Sequence, residues 1–186
     1  MHIALIRALL LASIAILLPG CYETEKPIIA KGERTPLHGK FQCRYTGDKG
    51  AFDIILTERK EGSGPAASYR YLDDEGHGYL LKRLRSGLFV GQAEAERSLS
   101  RFGIGASGYE YAFVDILDDD TFVVLFDEMD RKWGSIETLL ARLGIEHERA
   151  DDLLLLKGPD KSILEFFAAH DETMLRKSSR CQRLSR

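Results

Sequence analysis

Any chemistry in this chain has to come from four histidines beyond His2, three cysteines and two acidic clusters. His77 stands in Asp73-Asp74-Glu75-Gly76-His77-Gly78. An imidazole among carboxylates has the composition of a general base or a metal ligand. A metal needs a second ligand set from elsewhere, and Asp/Gly/His runs also make ordinary hairpin tips, which is the reading carried forward. His147 and His170 lie among Glu146, Glu148, Glu165 and Asp171, but no H-E-x-x-H spacing places two histidines on one helical face. His170 falls in the last turn of an expected helix, where the macrodipole alone favours an imidazole. Asp118-Asp119-Asp120 and Asp127-Glu128-Met129-Asp130 flank one apolar run without the D-x-D-x-D-G order of a calcium loop. They read as charged sheet rims. Gly105-Ala106-Ser107-Gly108 lacks the nucleophile-elbow spacing, and no phosphate-cradling glycine loop is present. No catalytic, cofactor-binding or metal-binding residue is assigned, and the chain is expected not to be an enzyme.

The elements that would position these residues follow from periodicity. Runs rich in β-branched and aromatic residues read as strands near Lys40–Tyr45, Ala51–Thr57, Ser68–Leu72, Tyr79–Leu84, Leu88–Ala93, Tyr109–Leu117 and Thr121–Asp127. Short turns such as Gly47-Asp48-Lys49-Gly50 and Ser86-Gly87 join most of them, so neighbours should pair antiparallel. The run at 109–117 is apolar on both faces and belongs at the centre, whereas 94–108 reads as a long polar loop. After Trp133 the period changes. Ile136, Leu139, Leu140 and Leu143 make one helical face, with Ser135 as cap and Gly144 as stop. Leu153 to Leu156 is a short buried strand or connector. Gly158-Pro159 opens a second helix with Ile163, Phe166 and Phe167 on one face. The tail from Met174 carries Arg176, Lys177, Arg180, Arg183 and Arg186, cations suited to anionic headgroups in a tethered protein, but the reading carried forward is a solvated terminus. The expected fold class is α+β: a mainly antiparallel β meander of about seven strands followed by two short C-terminal helices.

The first residues read differently. Met1 to Arg7 is a short charged segment and Ala8 to Leu18 an apolar run broken only by Ser13. That length suits a signal peptide and falls short of the ~20 residues of a spanning helix. Leu18-Pro19-Gly20-Cys21 follows and resembles the lipobox of bacterial lipoproteins. The layout as a whole resembles that of small proteobacterial lipoproteins. The resemblance implies removal of residues 1–20, a diacylglycerol on Cys21, and anchorage in the cell envelope. Tyr22 stands where an Asp would mark inner-membrane retention, which implies the periplasmic face of the outer membrane in a Gram-negative cell. Residues 22–38 are polar, with two prolines, and are expected to be a flexible tether between the lipid and a single domain at 39–186. With Cys21 acylated, Cys43 and Cys181 are left in an oxidising compartment and are expected to form a disulfide.

The formal net charge of −3 offers no nucleic-acid footprint. The function expected is that of a membrane-tethered envelope lipoprotein with no cofactor, acting through contacts with an envelope protein partner. The alternative is a small-molecule or lipid carrier with a barrel cavity, and a hydrolase comes third. A closed apolar cavity of ~300 Å³ or more favours the carrier. Histidines and carboxylates converging on one point favour the enzyme.

Overall fold

The structure is a computed structural model that describes residues 22–47, 50–95, 102, 107–150 and 153–184. Cys21 and the apolar leader lie outside the described residues. The seven expected strands are all present, as β2 (Lys40–Gly47), β3 (Gly50–Glu61), β4 (Ser68–Leu72), β5 (Gly78–Arg83), β6 (Leu88–Ala95), β7 (Gly108–Ile116) and β8 (Thr121–Asp127). Four more were not foreseen as a set: β1 (Tyr22–Thr24), β9 (Glu146–Ala150), β10 (Leu153–Lys157) and β11 (Leu175–Arg183). Among the described residues there are two α-helices, α1 (Met129–Leu143) and α2 (Asp160–Ala168).

The α+β expectation is overturned. Over the described residues the protein is mainly β, with eleven strands rather than about seven. Strands β6-β5-β4-β3-β2-β11-β8-β7 form an antiparallel ladder that closes on itself through a β6–β7 pairing, giving an eight-stranded barrel. The missing strand was the tail. Its alternation is cationic outward and small inward (Ser179, Cys181), so it carries no apolar periodicity, yet it pairs with both β2 and β8. β1, β10 and β9 extend the sheet from β7, which pairs with β1 along Tyr109–Tyr111 and with β8 along Phe113–Ile116.

Two cores result. Inside the barrel pack Phe41, Tyr45, Ile54, Phe89, Val114 and Phe122, among others. Outside, the opposite faces of β6, β7 and β8 (Val90, Tyr111, Phe113, Val123, Leu125) are covered by α1, α2, β1 and β10. This explains why β7 is apolar on both faces: each face belongs to a different core. Helix α1 begins at Met129, before the expected cap at Ser135, because buried Met129 continues the Ile136/Leu139/Leu140 face and Asp130 suits the first turn. It stops at Gly144, whose φ is 65° in the left-handed region.

The expected flexible tether is also corrected. Within residues 22–38, Tyr22, Ile28, Ile29 and Leu37 are buried. Ile28 and Ile29 lie in the outer core, whereas Leu37 lies in the barrel interior. Between them the chain passes between two barrel strands. β4 and β5 pair only over Arg70–Leu72 and Gly78–Leu80. Where they diverge, the Tyr69 amide donates to the Gly32 carbonyl (3.1 Å) and the Glu33 amide to the Leu81 carbonyl (2.8 Å). Residues 32–33 thus fill a gap in the wall. Polar composition suggested a solvated linker, but these polar groups are spent on strand edges.

Candidate functional site

The N-terminal segment is held by side chains drawn from the whole chain. Tyr22 enters the outer core edge-on to Phe166 and Phe167, with ring centroids 5.3 Å away in each case. Its hydroxyl donates to Asp127 Oδ2 and lies 2.9 Å from His170 Nε2, which is itself 2.9 Å from the same carboxylate oxygen. His170 Nδ1 lies 2.8 Å from the Phe166 carbonyl. A carbonyl only accepts, so Nδ1 carries a proton and Nε2 faces Asp127 and Tyr22. A second knot lies beside it. Gln92 Oε1 accepts the amides of Ile28 (2.9 Å) and Ile29 (2.8 Å) and the Tyr111 hydroxyl (3.1 Å), and Tyr111 also meets Thr24 Oγ1 at 2.8 Å. Burial pushes the Tyr111 phenol up to about 12 despite these partners.

A tyrosine, a histidine and an aspartate in contact have the residue types of acid–base catalysis. Here the side chains of His170 and Asp127 are 0% exposed, so no substrate atom reaches them. Their chemistry is cohesion: removing one partner of a buried pair costs about 3–5 kcal/mol.

The barrel interior is the other candidate. It holds a cavity of about 40 Å³ beside Tyr45, Ile54, Tyr71, Tyr79, Leu81 and Val114. Two of the tyrosine hydroxyls around it are already partnered. Tyr71 meets Thr35 Oγ1 at 2.6 Å and donates to the Leu37 carbonyl (2.9 Å), and Tyr79 donates to Asp73 Oδ2 (3.1 Å). Burial raises the phenols of Tyr45, Tyr71 and Tyr79 above the ordinary tyrosine value. Elsewhere in the barrel interior Cys43 and Cys181 form a disulfide, facing each other directly across β2 and β11, and add nothing to the lining of that cavity. The space is far below the several hundred Å³ of a typical small-molecule site.

Comparison with protein-family models, curated proteins and solved structures found no match to this chain.

The residues singled out by sequence fall as follows. His77 sits at the β4–β5 turn, with its Nδ1 2.9 Å from Asp73 Oδ2. Asp73 Oδ1 also accepts the amides of Glu75 and His77, so this carboxylate organises the turn. His147 lies on edge strand β9 against Trp133, remote from His170 in its knot. The two acidic clusters do not converge: Asp120 pairs with Arg183, Asp127 is buried, and Asp130 pairs with Arg149. Among the described residues, no group of three or more His, Cys, Asp or Glu is arranged to hold a metal. Sequence reasoning missed the Tyr22–Asp127–His170 knot entirely. Its members are separated by 105 and 43 residues, and no local spacing announces it.

Proposed function

We propose that the protein is a lipid-anchored component of the bacterial cell envelope that works through contacts of its outer surface with an envelope protein partner, without catalysis. The observation that carries this reading is the treatment of Tyr22. The residue following the lipobox cysteine is fully buried and hydrogen-bonded to Asp127 and His170, so an acyl chain on Cys21 would join the rigid body of the barrel with no linker between. A filled interior supports the same reading, because it leaves the outer surface as the part free to act. A barrel that spans a bilayer presents an apolar band outward. Here the outward positions of β2, β3 and β11 include Lys40, Arg44, Asp53, Arg59, Lys177 and Arg180, which suits a barrel carried on a membrane rather than through it.

The test is metabolic labelling with a fatty acid. The full chain is expected to incorporate label and fractionate with membranes, and Cys21→Ser to remain an unlabelled precursor. A normally processed and labelled Cys21→Ser protein would sink the proposal. Affinity capture from detergent-solubilised envelopes then identifies the partner.

A second reading rests on the barrel itself, since a closed eight-stranded barrel is compatible with a binding carrier. At about 40 Å³ the cavity accepts only a very small apolar molecule unless lining side chains such as Tyr45 move aside. Native mass spectrometry of protein purified without reduction distinguishes the two: a bound apolar molecule favours the carrier.

A further inference from the structure

The outside of the barrel is divided. Helices α1 and α2, with β1 and β10, cover β6, β7 and β8. Among the described residues nothing similar covers the outer face of β11-β2-β3-β4, and its charge is lopsided. Alternation from the inward residues Cys181, Cys43, Ile54 and Tyr71 assigns the outward positions, and beyond the irregularity between Lys177 and Ser179 the pairing of Lys177 with outward-facing Leu125 turns it outward as well. Among the described residues these include Lys177, Arg180, Lys40, Arg44, Arg59 and Arg70, against only Asp53 and Glu61. This lies on a chain whose formal net charge is −3. Two pairs of arginines are direct cross-strand neighbours, Arg180 with Arg44 and Arg59 with Arg70. Like charges directly opposite each other in a sheet destabilise it. Asp53 answers Arg44 (2.9 Å) and Glu61 answers Arg70 (3.3 Å). The Arg44 side chain raises no question of neutralisation, because the Asp53 carboxylate holds it charged and is itself held below the usual carboxylate range.

We infer that this four-strand face is a docking surface for an anionic phospholipid bilayer. Charge complementarity names the chemistry, and the position of the N-terminal segment names the source. Tyr22 bonds Asp127, and Asp127 is the direct cross-strand partner of Leu175 on β11, two residues before Lys177. The main chain of Tyr22 pairs with β7 and β10, so an acyl anchor on the residue before it would bring headgroups three strands from the β11 edge of this face. The inference takes its orientation from the lipid-anchor reading, but the binding it describes does not require acylation. Each cation near an anionic leaflet contributes about 1 kcal/mol, and a face four strands wide, roughly 15 Å across, brings several into range together. The like-charged pairs then have a physical purpose: lipid phosphates supply the counter-charge that the sheet lacks.

The experiment uses the full chain carrying Cys21→Ser, so that the apolar leader is present in every sample and acylation in none. Co-sedimentation is measured with vesicles of phosphatidylglycerol and phosphatidylcholine and with vesicles of phosphatidylcholine alone. Stronger partition onto the anionic vesicles, falling with added salt, is the expected result. Lys177→Glu with Arg180→Glu should weaken that partition by more than roughly thirtyfold, since two contributions of about 1 kcal/mol each are reversed and not merely lost. Arg142→Glu with Lys161→Glu, the same charge change on the helical side, should leave it within about twofold. Arg180→Glu faces Arg44 and should raise thermal stability, so lost binding cannot be ascribed to lost folding. Lys177→Gln with Arg180→Gln gives an intermediate loss. Equal partition onto both vesicle types, or an equal loss in the helical-side control, overturns the inference, and so does full competition by inorganic phosphate. Fatty-acid labelling of the wild type is scored separately, so failure of the anchor and failure of the face are told apart.

Discussion

At the scale of single residues, the most exacting position is Gly32. A Cβ placed there would lie 1.8 Å from the Tyr69 carbonyl oxygen, which is main chain and cannot swing aside. The segment fits between β4 and β5 only because this residue has no side chain. Gly32→Ala is expected to destabilise the protein by about 3 kcal/mol, at the upper end for overpacking, read as a lower urea midpoint. Gly134 provides the contrast. It lies within α1, and a Cβ added there would meet nothing within 4 Å, so Gly134→Ala should stabilise by up to about 1 kcal/mol through helix propensity. Equal midpoints for the two variants would count against the placement of residues 32–33. Neither glycine stands out in the sequence, since a wedge between strands leaves no turn signature.

Among the elements, β2 and β11 make the seam where the first and last barrel strands meet, and the Cys43–Cys181 bridge crosses that seam directly. Its cysteines are 138 positions apart, so it ties a long loop of the unfolded chain. The chain-entropy model assigns roughly 4–5 kcal/mol to a loop of that length. Reduction, or Cys43→Ala with Cys181→Ala, is expected to lower the denaturation midpoint accordingly, and unfolded unreduced protein should show no reactive thiol at either position. An unchanged midpoint would refute this. The pairing was legible from cysteine arithmetic and compartment. The strand that makes it possible was not, because Arg176 to Arg183 lacks apolar alternation and its inward residues are Ser179 and Cys181. β1 was hidden for a related reason: a three-residue strand leaves too little sequence for a period to show. By contrast β7 and β8 were plain, since runs such as Phe122 to Phe126 that face two cores have little other use.

For the molecule as a whole, the buried phenols set an alkaline limit. Tyr45, Tyr71, Tyr79 and Tyr111 all ionise above the unfolded value near 10, chiefly because burial disfavours the phenolate. Their contribution is fully present below pH 10. Above it the unfolded chain releases protons that the native chain keeps, so raising the pH favours unfolding. Each such phenol removes about 1.4 kcal/mol per pH unit until its folded value is reached, about 12 for Tyr111. A spectrophotometric titration should therefore show part of the tyrosine signal appearing only with cooperative loss of circular dichroism. Smooth ionisation of all seven tyrosines near pH 10 with the fold intact would contradict the buried network. The functional reading was legible only as an address, in the residues around Cys21. The charged face drew on four strands, and no window of sequence displays cations that converge by sheet register.

The route of the N-terminal segment also orders events in time. β1 pairs with residues near 110 and 154, and the Tyr22 hydroxyl waits for Asp127 and His170. None of these contacts is local, and loop closure over such separations makes them slow. A chain emerging from its N-terminus first therefore leaves residue 22 extended until its last helix has been delivered. The start of the protein is then among the last parts to be locked, and an enzyme that performed the proposed lipidation of the neighbouring residue would meet unfolded chain throughout synthesis.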